Sequence, residues 1–154
     1  MRLMIEKEAI VLIGVEFLIG IDPGINNGIA IYSKKTRKLE SVGTLPLFQI
    51  FQAFLDPKIF LIKSHIAVYI ENPNTWLPFK GTKSDNSRLQ GAGAVKQTYK
   101  HITEFLDFHK IPYTPVKLQG GLKKTKSDTF KNITGYLKPT NEHGRDAAFL
   151  VWNR

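Results

Sequence analysis

Two acidic residues follow apolar stretches that have the length and composition of buried β-strands. Asp22 comes directly after Phe17–Ile21, and Glu71 comes directly after Ile66–Ile70. A buried carboxylate is costly without a partner, and open α/β sheets gather ligands at the carboxyl ends of their strands. Two carboxylates brought together there repel each other, and a divalent cation relieves the repulsion. Asp-Pro-Gly and Glu-Asn-Pro are also good turn formers, which explains each residue singly, whereas the pair together favours a metal site.

A second pair of candidate ligands lies near the end of the sequence. His143 and Asp146 are three residues apart at the start of a predicted helix, so their side chains share one face. Carboxylate oxygens suit Mg²⁺ and Mn²⁺, and one imidazole can join them as a ligand or as a base. The alternative is a pair that interacts only with the helix dipole. With the two strand-end carboxylates, this pair supplies four polar groups from three places in the chain.

The positive charge of the protein is concentrated in one block. The net charge is +9, and residues 80–138 hold twelve basic and four acidic side chains. Such a block is typical of a surface that binds a polyanion, although a solvated basic face has the same composition. The cations expected to contact phosphate are Lys80, Lys83, Arg88, Lys96, Lys117, Lys123, Lys124 and Lys126.

Two aromatic residues, Trp76 and Phe79, lie in a polar stretch just after Glu71. An exposed ring there can stack on nucleic-acid bases or wedge between them. The alternative is that both rings fold back onto the core and anchor the loop. The sequence leaves these two interpretations open.

The elements that must position these residues follow from the periodicity of apolar side chains. Apolar runs predict strands at 17–21, 28–32, 39–45, 66–70 and 113–116. Helical spacing predicts helices at 47–55 and 87–109, and two shorter helices capped by Thr125 and Asn141. The inward-facing residues of these shorter helices are expected to be Phe130, Ile133, Leu137, Ala147, Leu150 and Val151. The order β-β-β-α-β-α-β-α-α predicts an α/β fold with a mixed sheet.

Length and composition fit one domain over residues 1–154, in which residues 1–16 can form an N-terminal extension. The absence of cysteine excludes disulfides and thiolate metal sites and is compatible with a reducing cytoplasm. Ala9–Ile21 is apolar, but Glu16 interrupts it. The stretch is too short to cross a membrane and lacks the features of a signal peptide. We therefore expect a cytoplasmic protein without a membrane partner.

An ordered set of motifs resembles the RuvC-type Holliday junction resolvases, from Phe17 almost to the end of the chain. The first strand motif is Ile19–Gly24 followed by Gly28–Ala30, and the second acidic strand is Val68–Glu71. The later segments similar to that family are Arg88–Ala94, Pro115–Lys117, the lysines at 123, 124 and 126, and His143–Ala148. No single motif is specific, whereas the ordered set is.

The resemblance implies a ribonuclease H-like fold with a mixed five-stranded sheet flanked by helices. It implies that Asp22, Glu71, His143 and Asp146 are the catalytic and metal-binding residues, that Mg²⁺ is the cofactor and that Mn²⁺ can substitute. It further implies a homodimer that nicks opposed strands of branched DNA by two-metal hydrolysis. Only three residues separate Gly24 from Gly28, one fewer than in typical cellular members. The loop after Glu71 and the region Gln119–Leu122 also do not closely copy cellular sequences. Together these departures favour a phage or prophage-like enzyme acting in a bacterial host.

Three other classes remain as alternatives. Another ribonuclease H-like nuclease, such as the YqgF-type relatives of RuvC, would share the strand-end aspartate and act on RNA or simple DNA. A protein that binds branched DNA without cutting it would share the basic block. Actin-like ATPases and sugar kinases also begin with a strand and an Asp-x-Gly turn, but they need two related lobes and a much longer chain than 154 residues.

Overall fold

The computed structural model describes residues 14–58, 63–75, 86–118 and 121–154. The strands in these ranges are β1 (Phe17–Asp22), β2 (Asn27–Ser33), β3 (Lys38–Leu45), β4 (Ile66–Glu71) and β5 (Tyr113–Val116). The helices are α1 (Leu47–Leu55), α2 (Asn86–Phe108), α3 (Ser127–Thr134) and α4 (Glu142–Phe149), and single 3₁₀ turns lie at Lys63–His65 and Pro73–Thr75. The predicted order of strands and helices is confirmed, with boundaries that differ by one or two residues.

The strands form one mixed sheet in the order β3-β2-β1-β4-β5. The first three strands make an antiparallel meander, whereas β4 lies parallel to β1 and β5 lies parallel to β4. The expected α/β class and mixed five-stranded sheet are therefore confirmed. Because β1 and β4 are parallel neighbours, their carboxyl ends lie at the same edge of the sheet.

The two faces of the sheet bury two separate apolar cores. In β1, Ile19 and Ile21 pack on one face with residues of α1 and α2. Leu18 packs on the other face, in a core that α4 and Phe130 of α3 complete. Because side chains alternate along a strand, Asp22 shares the face of Leu18 and so lies on the side of the sheet that α4 covers.

Helix α4 approaches the sheet more closely than side chains would allow. A β-carbon on Gly20 would collide with the backbone carbonyl of Ala147, and one on Gly28 would collide with that of His143. Both positions require glycine because the helix backbone occupies the space that a side chain would fill. The two strand glycines therefore set how near the first turn of α4 comes to Asp22.

Of the two helix caps predicted from the sequence, one is confirmed and one is wrong. Asn141 caps α4 as expected, because its side chain accepts a hydrogen bond from the Gly144 amide at 2.8 Å. Thr125 does not cap α3, which begins at Ser127 without a side-chain cap. The Thr125 hydroxyl instead donates to the Leu122 carbonyl at 2.6 Å, so its own turn satisfies it.

Two residues expected to face inward from α3 are exposed. Phe130 is buried, but Ile133 and Leu137 lie at the surface. The helix ends at Thr134 and the chain turns at Gly135, which has a φ of 71°, so helical spacing does not reach Leu137. The inward-facing residues of α4 and the turn after it, which are Ala147, Leu150 and Val151, are buried as predicted.

Several sequence-based expectations fall outside the residues that the structure describes. These are the loop residues Trp76, Phe79, Lys80 and Lys83 and the extension up to residue 13. Within the described ranges, none of the helices combines the length and the apolar composition that crossing a membrane requires.

Candidate active site

Asp22 and Glu71 are brought together by the register of two parallel strands. Ile21 of β1 pairs with Ile70 of β4, so the two acidic residues follow at the same level of the sheet. Both side chains are buried, at 6% and 3% exposure. The apolar residues before them fix the register, because a slip by one residue would turn the core side chains to the wrong face.

Asn27, which no sequence motif marked as a site residue, braces the turn after Asp22. It is fully buried, and its amide nitrogen donates to the Leu45 carbonyl at 3.1 Å. Its amide oxygen accepts a hydrogen bond from the Gly24 amide at 3.2 Å. Asn27 thereby links the Asp-Pro-Gly turn to the end of β3 through two hydrogen bonds.

Helix α4 places two further polar groups beside the sheet carboxylates. The ring nitrogen Nδ1 of His143 lies 3.0 Å from Oδ2 of Asp22, while the His143 side chain stays 54% exposed. Asp146, one helical turn further, is buried. The predicted site residues from three separate places in the chain are therefore neighbours in the structure.

The turn that precedes α3 adds a cation which the sequence assigned only to the DNA-binding surface. Lys123 Nζ donates to Oε1 of Glu71 at 2.6 Å. The Lys124 amide, at a residue with a φ of 59°, donates to Oδ1 of Asp146 at 3.0 Å. Arg145 Nε donates to the carbonyl of Thr125 at 2.7 Å, so α4 holds this turn at a second point.

Burial and mutual repulsion favour the neutral forms of the acidic groups. Burial, together with the hydrogen bond and charge of the neighbouring Glu71, raises the pKa of Asp22 to about 9, while Lys123 opposes the shift. Burial also raises the pKa of Asp146, an effect opposed by the Lys124 amide and by Lys123. If all three carboxyl groups ionised, their negative charge would exceed what Lys123 compensates, so a divalent cation that replaced their protons would be favoured there.

The donor set fits a hard divalent cation in its chemistry. Carboxylate oxygens and one imidazole are ligands that Mg²⁺ and Mn²⁺ accept. A cleft of about 570 Å³ opens over Asp22, His143, Asp146 and Lys123, so an ion and a phosphate group can reach them. In the ranges that the structure describes, no group of three or more His, Asp or Glu side chains is already arranged as a metal-binding site.

The cations expected to contact DNA differ in their position relative to this cleft. Lys124 lines it together with Lys123. Arg88, Lys96, Lys117 and Lys126 are exposed, and Gly91 of α2, near Arg88 in sequence, also lines the cleft. The described part of the basic block thus presents exposed charge to solvent, and two of its lysines lie at the acidic cluster itself.

Comparison with known proteins did not identify a family for this sequence. No protein-family model matches the sequence, and no curated protein matches it.

Proposed function

We propose that this protein is a metal-dependent endonuclease of the RuvC type, with a ribonuclease H-like fold, that hydrolyses phosphodiester bonds in Holliday junctions and other branched DNA. One observation carries the proposal. Buried carboxylates from β1, β4 and α4 meet under a cleft, with His143 against Asp22 and lysines beside them. The mixed sheet and the order of its elements agree with the fold that the resemblance implies.

The cofactor in this proposal is Mg²⁺, with Mn²⁺ as a substitute, held by Asp22, Glu71, Asp146 and His143. Bound divalent ions would activate a water molecule and stabilise the leaving oxygen of the phosphodiester. The protein supplies the alignment of the carboxylates, through the parallel register of β1 and β4 and the close packing of α4.

His143 has a separate part in the proposed chemistry. When its Nδ1–H donates to the ionised Asp22 carboxylate, Nε2 becomes the basic nitrogen of the ring. The side chain is more than half exposed, so a proton taken at Nε2 can pass to solvent. His143 is therefore suited to remove a proton from attacking water as well as to bind metal.

The exposed positive charge supports a nucleic-acid substrate. The exposed cations Arg88, Lys117, Lys124 and Lys126 are suited to phosphate contacts, which position DNA without reading its sequence. Lys80, Lys83, Trp76 and Phe79 remain further DNA contacts that the sequence alone predicts, and the preference for branched DNA and the homodimer rest on the RuvC resemblance. A cytoplasmic location is part of the same proposal.

The test is cleavage of an end-labelled four-way junction beside a flap, a duplex, a single strand and a matched RNA duplex. Each substrate is incubated with EDTA, Mg²⁺ or Mn²⁺. We expect cutting that needs the metal ion and favours the junction over the duplex. Asp22→Asn should abolish this cutting. Asp128→Asn, which removes an exposed acidic residue of α3 outside the cluster, is its control and should cut like the wild type. Preference for RNA would instead support a YqgF-type activity.

The principal competing function is branched-DNA binding without cleavage. The ion pair between Lys123 and Glu71 favours it, because a carboxylate already neutralised by lysine does not need a metal ion. High-affinity binding to the four-way junction, with no cutting of any substrate in Mg²⁺ or Mn²⁺, would support this function. It would contradict the proposed nuclease activity.

A further inference from the structure

Lys123 and Lys124 are adjacent in sequence but have opposite surroundings. The Lys123 ammonium lies 2.6 Å from Oε1 of Glu71, whose side chain is 4% exposed. The Lys124 ammonium lies 4.0 Å from Oε1 of Glu142, and its side chain is 71% exposed. The first lysine therefore points its charge into the acidic cluster, whereas the second points its charge toward solvent.

The charge of Lys123 acts on more than one carboxylate. It hydrogen-bonds Glu71, and its positive charge also interacts with the carboxyl groups of Asp22 and Asp146. A single ammonium thus partly neutralises three buried acidic groups. Without it, the cluster would have to bind protons or another cation, because uncompensated buried charge is costly.

The main chain around Lys123 is held independently of its side chain. The Lys124 amide is bonded to Asp146, and the Thr125 carbonyl accepts from Arg145. The lysine side chain is a flexible four-carbon chain and is here 32% exposed. The ammonium group can therefore swing out to solvent while the turn keeps its place.

We propose that Lys123 is the resident cation of the acidic cluster and that a divalent ion must displace its ammonium group from Glu71 in order to bind. The inference rests on the metal site of the proposed function. A divalent ion and an ammonium group on the same carboxylate would repel each other at a separation of about 4 Å. Lys123 therefore lowers the affinity for metal while it stabilises the metal-free protein.

The experiment compares Lys123→Met with Lys124→Met, which removes one positive charge from the same turn. Mn²⁺ binding is measured without DNA, by electron paramagnetic resonance of free Mn²⁺ and by calorimetry, at fixed pH and salt. We expect Lys123→Met to tighten the Kd by about tenfold, since it removes a competing charge, and Lys124→Met to change it by no more than about twofold. Thermal unfolding in EDTA should show Lys123→Met as the less stable variant, with Mn²⁺ restoring its Tm.

A second substitution, Lys123→Arg, tests the displacement of Lys123 by metal if Lys123→Met does not fold. Lys123→Arg keeps the charge and can hold the Glu71 carboxylate through two hydrogen bonds, so we expect weaker Mn²⁺ binding than in the wild type. Equal or weaker Mn²⁺ binding by Lys123→Met, or unchanged binding by Lys123→Arg, overturns the proposal while leaving the metal site intact. Absence of Mn²⁺ binding in the wild type overturns the metal site as well, and this separates the two failures.

Discussion

The two faces of the sheet use the same strands for different purposes. On one face, Ile21 and Val68 pack against Ile102 and Leu106 of α2, in a core built of apolar side chains. On the other face, the same strands present glycine and carboxylate positions to α4. The first face is held by apolar contact area, whereas part of the second is held by close backbone approach.

Because of this difference, we expect the two faces to contribute differently to stability and to activity. Apolar burial is nondirectional, so the α2 face can lose contact area without moving the carboxylates at the strand ends. Close backbone packing on the α4 face fixes the separation of His143 from Asp22. Substitutions on the α2 face should therefore change mainly the free energy of unfolding, and those on the α4 face should change activity as well.

The largest expected effect is the loss of cleavage in Asp22→Asn. An amide keeps the shape of the side chain but removes the charge that holds a divalent ion, so the rate should fall by about 10³-fold or more. Junction affinity, measured by fluorescence anisotropy in Ca²⁺ or EDTA, should stay within about threefold of the wild type, because phosphate contacts dominate binding. Cleavage that persists at the wild-type rate would remove Asp22 from the metal-binding set.

On the opposite face, Leu106→Ala should lower stability and spare the chemistry. Leu106 is fully buried, and truncating such a residue costs about 2–5 kcal/mol. Urea unfolding should show this loss. The cleavage rate per folded molecule, measured well below the unfolding midpoint, should match the wild type. A rate reduced in parallel with Asp22→Asn would show that the two faces are not independent.

Gly20→Ala should lower both the stability and the cleavage rate because it displaces α4. The added methyl group meets the Ala147 carbonyl, so the helix must move, at a cost of about 1–3 kcal/mol. Gly43→Ala is the matched control, since nothing lies within 4 Å of a β-carbon built on Gly43 of β3. We expect Gly20→Ala, and not Gly43→Ala, to slow cleavage in addition to lowering the urea midpoint. Equal behaviour of the two variants would contradict the role of close packing.

The sequence predicted the features that depend on local pattern. Apolar runs that end in an acidic residue located both strand-end carboxylates, and the residue type of Asn141 identified the cap of α4. The failures occurred where tertiary contacts decide. The direction of the Lys123 side chain depends on a carboxylate 52 residues away. The bracing by Asn27 depends on the end of β3, which no local pattern around Asn27 indicates.

The smallest expected effect is a difference in pH dependence between the wild type and Asp22→Asn without metal. The folded-state pKa of Asp22 is raised from 3.8 to about 9, so folding favours its neutral form. The stability associated with this shift is fully present below pH 3.8 and is lost as the pH rises toward 9. The amide that replaces the carboxyl group in Asp22→Asn stays neutral at every pH, so the variant should avoid this loss.

In EDTA, the Tm of Asp22→Asn should therefore exceed that of the wild type by an amount that grows from pH 5 to pH 8, reaching about 3 °C or more. Because the other titrating groups are common to both proteins, the difference isolates Asp22 and the groups coupled to it. Mg²⁺ should raise the Tm of the wild type at pH 8 and have little effect on the variant. A Tm difference that is flat, or that shrinks as the pH rises, would mean that Asp22 is already ionised and compensated in the metal-free protein. Lys123 would then neutralise the cluster more completely than its ion pair with Glu71 implies.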